Sequence, residues 1–97
     1  MRVIKLKTLR DFWEENSDAQ GALSAWYQEA NQAKWGSPTD IKSKYKNASI
    51  IGDNRVVFNI HGNKYRLVVK IHYNRGIIYV RFIGTHRQYN SINAETI

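Results

Sequence analysis

Arg55-Val56-Val57-Phe58-Asn59-Ile60-His61-Gly62-Asn63-Lys64-Tyr65-Arg66-Leu67-Val68-Val69-Lys70-Ile71-His72 is the stretch that decides the architecture. Its period is two. Val56, Phe58 and Ile60 fall on one side, with Arg55, Val57, Asn59 and His61 on the other. After Gly62-Asn63, a two-residue turn signal, Tyr65, Leu67, Val69 and Ile71 alternate with Lys64, Arg66, Val68, Lys70 and His72. Arg75-Gly76 marks a second turn. Beyond it Ile78, Val80 and Phe82 continue the apolar side, while Tyr79 and Arg81 stay polar. Such alternation predicts an antiparallel meander with one dry face and one wet face.

Register follows from the turns. Closing the first hairpin at Gly62-Asn63 places Asn59 opposite Arg66 and Arg55 opposite Lys70. Closing the second at Arg75-Gly76 places Lys70 opposite Arg81 and Arg66 opposite Thr85. The wet face is then expected to carry a row Asn59–Arg66–Thr85 and a parallel row Arg55–Lys70–Arg81. Like charges facing each other destabilise a sheet, so such a row points to an external anion.

Outward from the meander, Val3, Ile4 and Leu6 alternate with basic residues as a short strand within Met1 to Leu6. Thr8 reads as the cap of a first helix, with Asp11 at capping-box spacing and Leu9, Phe12 and Trp13 on its apolar face. A second helix starts at Ser17 or Asp18, with Ala22, Leu23, Trp26, Ala30 and Ala33 repeating at three and four. The tryptophans read as core anchors. Gly36 and Pro38 stop the helix, and residues up to Asp53 read as a long connection with one short strand at Ala48 to Ile51. The expectation is one domain over residues 1–97: an α+β fold, two N-terminal helices packed on a mostly antiparallel sheet.

Charge separates along the chain. From Asn54 to Ala94 there are seven Lys/Arg and no Asp or Glu, whereas the remainder holds eight of each, so the formal net charge of +7 resides in the meander. A cationic surface without acids of its own suits nucleic acid. With 42% hydrophobic residues the 97-residue chain is globular, and without cysteine it has neither a disulfide framework nor a thiolate metal site. The N-terminal residues lack a long apolar core, so neither signal peptide nor membrane span is expected, and the cytoplasm is the default location. No metal or other cofactor is expected either, in the absence of HExxH, a carboxylate cluster or a Gly-rich phosphate loop.

The last strand runs into Gly84-Thr85-His86-Arg87-Gln88-Tyr89-Asn90, where one helical turn puts His86 and Tyr89 on the same side. Arginine, histidine and tyrosine beside a basic groove suit metal-free RNA cleavage. A base takes the 2′-hydroxyl proton, a fixed cation stabilises the charged transition state, and an acid protonates the leaving 5′-oxygen. Arg66 suits the phosphate through bidentate contacts, and an imidazole serves as base or acid. His61 and His72 sit by turns without an evident proton partner, and read as solvent or RNA contacts.

The strand from Asn54 to Ile71, with its Gly62-Asn-Lys-Tyr-Arg-Leu-Val68 run, and the ending Gly84-Thr-His-Arg-Gln-Tyr89 resemble the HigB family of RelE-like toxins from bacterial type II toxin–antitoxin systems. Leu9 to Trp13, Leu23 to Tyr27 and Trp35 to Pro38 extend the resemblance over nearly the whole chain. It implies a compact α+β fold and an mRNA endonuclease, in many relatives acting within a translating ribosome. It also implies neutralisation by a helix-turn-helix, HigA-like antitoxin, through which alone the toxin reaches operator DNA. Arg66, His86 and Tyr89 match the positions assigned to catalysis. Asn59, Lys64 and Lys70 match the basic strand face, which Arg55, Arg81 and Arg87 extend as RNA-binding candidates. One departure stands out: Asn90 occupies a position where the family commonly has an acid.

The reading is therefore a metal-independent mRNA interferase that inhibits translation. Arg66 stabilises the phosphate, His86 acts as general base or acid, Tyr89 moves a proton or stacks on a base, and Lys64 and Lys70 hold backbone. A non-catalytic RNA- or ribosome-binding module using the same face is the alternative. A DNA-binding regulator fits less well, because no recognition helix is evident.

Overall fold

The computed structural model describes residues 1–97. Strand β1 (Arg2–Ile4) leads into helix α1 (Leu6–Glu15), and a short 3-10 turn (Ser17–Ala19) runs directly into α2 (Gln20–Gln32). Helix α3 (Pro38–Lys44) and strands β2 (Ser49–Ile51), β3 (Arg55–Ile60), β4 (Tyr65–His72) and β5 (Ile77–Thr85) follow, and α4 (His86–Asn90) closes the order. The five strands form one sheet in the order β1-β5-β4-β3-β2, in which β1 lies parallel to β5 and every other pair is antiparallel.

The core forms on the face that the alternation marks as dry. Val56, Phe58, Ile60, Leu67, Val69, Ile71, Ile78 and Val80 pack against Leu9 of α1 and Leu23, Trp26 and Ala30 of α2. Phe58 is the hub: Trp26 meets its ring edge-on at 5.4 Å, Tyr45 does so at 5.1 Å, and Trp35 stacks at 6.1 Å. Trp26 and Trp35 are thus the expected anchors, while Trp13 packs half-buried at the margin.

Local departures from the sequence reading have identifiable causes. Helix α1 starts at Leu6 rather than after Thr8. Lys5, in the left-handed region at φ 74°, turns the chain sharply out of β1, and Asp11 pairs with Lys7 at 2.7 Å instead of capping. The connection after α2 contains a helix because Pro38 occupies the first helical turn, where its missing N–H leaves no bond unmade, and Ile41 is buried.

The β3–β4 register is the expected one, Arg55 opposite Lys70 and Asn59 opposite Arg66. The β4–β5 register is not. Tyr73–Arg75 wind into a 3-10 turn completed by Gly76 at φ 65°, so the connection is longer than Arg75-Gly76 alone and Lys70 faces Tyr79, not Arg81. A β-bulge then intervenes, because Val69 pairs with Val80 but Val68 with Phe82, leaving Arg81 unpaired. One inserted residue turns every later side chain to the other face. Ile83 therefore packs against the core, and Phe82 and Gly84 join Arg66 on the second face.

Candidate functional site

That second face carries three rows: Arg55–Lys70–Tyr79, Val57–Val68–Phe82 and Asn59–Arg66–Gly84. It is not wet throughout. Val57 and Val68 are buried yet stand outside the main core cluster, and Arg55 is only 4% exposed.

The Arg55 end is closed from within. Arg55 Nη1 lies 2.7 Å from Asp53 Oδ2, and Arg55 Nε donates to the backbone oxygen of Ile97 at 3.0 Å. Residues Asn93 to Ile97 form a turn whose Glu95 carboxylate approaches Gly52, bringing this segment over the β2–β3 connection. Lys70 shares Asp53 at 3.4 Å. The Arg55 guanidinium beside it, then the Lys70 ammonium, hold the Asp53 carboxyl below its ordinary range. Arg55 is accordingly buried with each of its three nitrogens hydrogen-bonded inside the protein, unlike the exposed cations among the RNA-binding candidates.

The Arg66 end is built differently. Arg66 Nη1 donates to the side-chain oxygens of Asn59 and Asn63, the latter at 2.7 Å, and no acid lies within ion-pairing distance of it. Neutral amides orient the guanidinium without cancelling its charge, and Nε and Nη2 remain for a bidentate phosphate contact. Directly opposite is Gly84, followed by Thr85, which caps α4. The cap is a full capping box: Thr85 Oγ1 accepts from the Gln88 N–H at 3.2 Å, and Gln88 Oε1 accepts from the Thr85 N–H at 2.9 Å. It fixes a five-residue helix whose first residue is His86 and whose fourth is Tyr89, both half-buried. The expected single turn therefore exists, starting two residues after the one that faces Arg66.

The remaining candidates spread around this centre. Lys64 pairs with Asp18, which also accepts from the Tyr65 hydroxyl at 2.6 Å. The hydrogen bond from Lys64, then that from Tyr65, lowers the Asp18 pKa. Arg81 at the bulge and Arg87 on α4 are exposed and free of salt bridges. The acid-free run from Asn54 to Ala94 thus acquires counter-ions from outside itself, through Asp18 and Asp53. Asn63 and Gln88 were not among the expected site residues, and Phe82 was expected on the apolar side. The Asn63-x-x-Arg66 and Thr85-x-x-Gln88 spacings were the available signals for the first two.

A family model described as the HigB toxin, RelE-like toxic component of a toxin–antitoxin system, matches residues 19–92, from the end of the 3-10 turn through α4. The chain belongs to the HigB toxin family. No curated protein sequence matches it. The match includes Arg66, His86 and Tyr89 and leaves β1 and α1 outside. As a HigB-family member the chain is the toxin of a toxin–antitoxin pair, with an antitoxin as its partner. None of its helices is long and apolar enough to cross a membrane.

Proposed function

We propose that this HigB-family toxin is a metal-independent endoribonuclease that cleaves mRNA, on the ribosome, and so stops translation. A single arrangement carries the reading: Arg66 is held by neutral amide oxygens alone, beside the start of the short helix that carries His86 and Tyr89. Arg66 binds the scissile phosphate. One of His86 and Tyr89 removes the 2′-hydroxyl proton as the 2′-oxygen forms its bond to phosphorus. The P–O5′ bond breaks and the other group protonates the departing O5′, leaving a 2′,3′-cyclic phosphate and a 5′-hydroxyl. Arg81 and Arg87, free of salt bridges, hold flanking backbone, and Lys64 and Lys70 join them by exchanging their weak surface pairs with Asp18 and Asp53 for phosphate, with Asn59 positioning Arg66. The partner antitoxin is a helix-turn-helix protein of the HigA kind, and the toxin acts in the cytoplasm.

The test is growth arrest and message cleavage by expressed variants. Arg66→Ala lowers cleavage by about 100- to 1000-fold, and His86→Ala by about 100-fold or more. Both variants keep the fold and antitoxin binding. Full toxicity of both refutes the site, whereas arrest by the parent toxin with intact message in primer extension identifies a non-catalytic RNA- or ribosome-binding module.

A further inference from the structure

The β5 bulge has a chemical result beside Arg66. Phe82, which the alternation assigns to the core, lies on the cation face opposite Val68, half-buried and outside the residues that pack on the core. Its ring extends across Gly84: a Cβ at Gly84 would sit 2.6 Å from Phe82 Cζ and 2.6 Å from Gln88 Oε1. The glycine is therefore required for the ring to lie down there. Gly84 faces Arg66 one strand away, a spacing of about 4.8 Å. An aromatic face thus stands next to the cation that would hold the phosphate.

Next to the ring is a cleft of about 300 Å³. It exists because β1 pairs only with Ile77–Tyr79, leaving the rest of that β5 edge without a strand. Phe82, Ile83 and Phe12 provide apolar lining, and Glu15, Asn16 and Gln88 provide polar groups. Hydrogen bonds fix the two amides. Gln88 Oε1 is committed to the Thr85 N–H, leaving its Nε2 as a donor, and Asn16 Nδ2 donates to the Phe12 carbonyl at 3.1 Å, leaving Oδ1 as an acceptor. Glu15 forms no salt bridge and adds carboxylate acceptors.

We propose that Phe82 and this cleft form a nucleobase subsite. A base flanking the phosphate at Arg66 leaves its stack and lies on the Phe82 ring, with its edge towards Asn16, Glu15 and Gln88. The proposal rests on the RNA-cleaving reading and names where that RNA is read. Stacking accepts any base. The surplus of acceptors over donors favours bases with an exocyclic amino group and disfavours uracil, which has none.

The probe is a single-stranded RNA oligonucleotide with a 2′-deoxy substitution at the cleavage position and 2-aminopurine placed at each neighbouring position in turn. The parent toxin raises 2-aminopurine fluorescence at one position, because that base leaves its stacked neighbours. Phe82→Leu abolishes that rise and lowers kcat/KM for the cleavable RNA by about 5- to 150-fold, with the melting temperature retained, whereas Phe82→Tyr preserves the cleavage rate. Asn16→Ala, on the α1 side of the cleft, relaxes the discrimination against uracil and tests the subsite even if the leucine variant does not fold. A position-specific rise without any cleavage upholds the subsite and refutes the nuclease. Cleavage by Phe82→Leu at the parent rate, with no such position in the parent, upholds the nuclease and refutes the subsite.

Discussion

The two ends of the cationic face are built from the same residue types and finish in opposite electrostatic states. At one end Arg55 is buried and its donors are taken by Asp53 and the Ile97 backbone oxygen, with Lys70 drawing on the same carboxylate. At the other end Arg66 is oriented by Asn59 and Asn63, which accept hydrogen bonds and carry no charge. An acid positions a cation by neutralising it; an amide positions it and leaves the field intact. Cation density along a sheet therefore does not locate an anion site. The nature of each cation's partner does.

This contrast yields graded expectations. Arg55→Ala removes the closed end's central donor and leaves Asp53 and the Ile97 oxygen unpaired. Thermal unfolding should report a loss of about 1–3 kcal/mol, several degrees or more in Tm for a domain of this size, while growth arrest at permissive temperature persists. Complete loss of arrest in a folded Arg55→Ala protein would erase the distinction between the ends. Asn63→Ala should act in the reverse sense, lowering cleavage by about tenfold through a less ordered Arg66, with stability changed by no more than about 1 kcal/mol. A single-turnover assay beside a melting curve separates the two effects.

The smallest effect concerns pH. The Asp53 carboxyl lies below its ordinary value of 3.8 because Arg55, then Lys70, bond to its ionised form. A group whose pKa is lower folded than unfolded contributes stability above the unfolded value, and that contribution disappears as pH falls through the folded one. Stability should thus decline below about pH 4, less steeply in Asp53→Asn than in the parent protein. Identical profiles would show that the closed end is not held by that carboxylate.

The hairpin from Arg55 to His72 was legible because alternation and turn chemistry agree there, and a half-buried sheet penalises any slip by exposing its whole apolar set. At Val80-Arg81-Phe82-Ile83 the same logic is ambiguous. Two apolar residues stand side by side, and either suits the core. Alternation selects Phe82, but the bulge selects Ile83 and moves the ring to the cation face. The 3-10 turn at Tyr73–Arg75 was hidden behind Arg75-Gly76, a good turn signal at the end of a longer connection. Helix α3 was missed because proline was read as a stop, although at the first turn of a helix it is a start. The turn from His86 to Tyr89 was easier, since residues three apart share one side of a helical turn, although the Thr85–Gln88 capping box that fixes it was not read.

Pattern and composition were sufficient for the class of fold, the pairing of β3 with β4, the basic face and the helical turn bearing His86 and Tyr89, because each follows from spacing over a few residues. Which cations stay open, and which aromatic joins them, depended on groups brought from elsewhere: Asp18 onto Lys64, Ile97 onto Arg55, and a bulge that turns Phe82 over Gly84. Those outcomes are set by long-range packing and by a one-residue change of register, neither of which leaves a periodic trace in the chain.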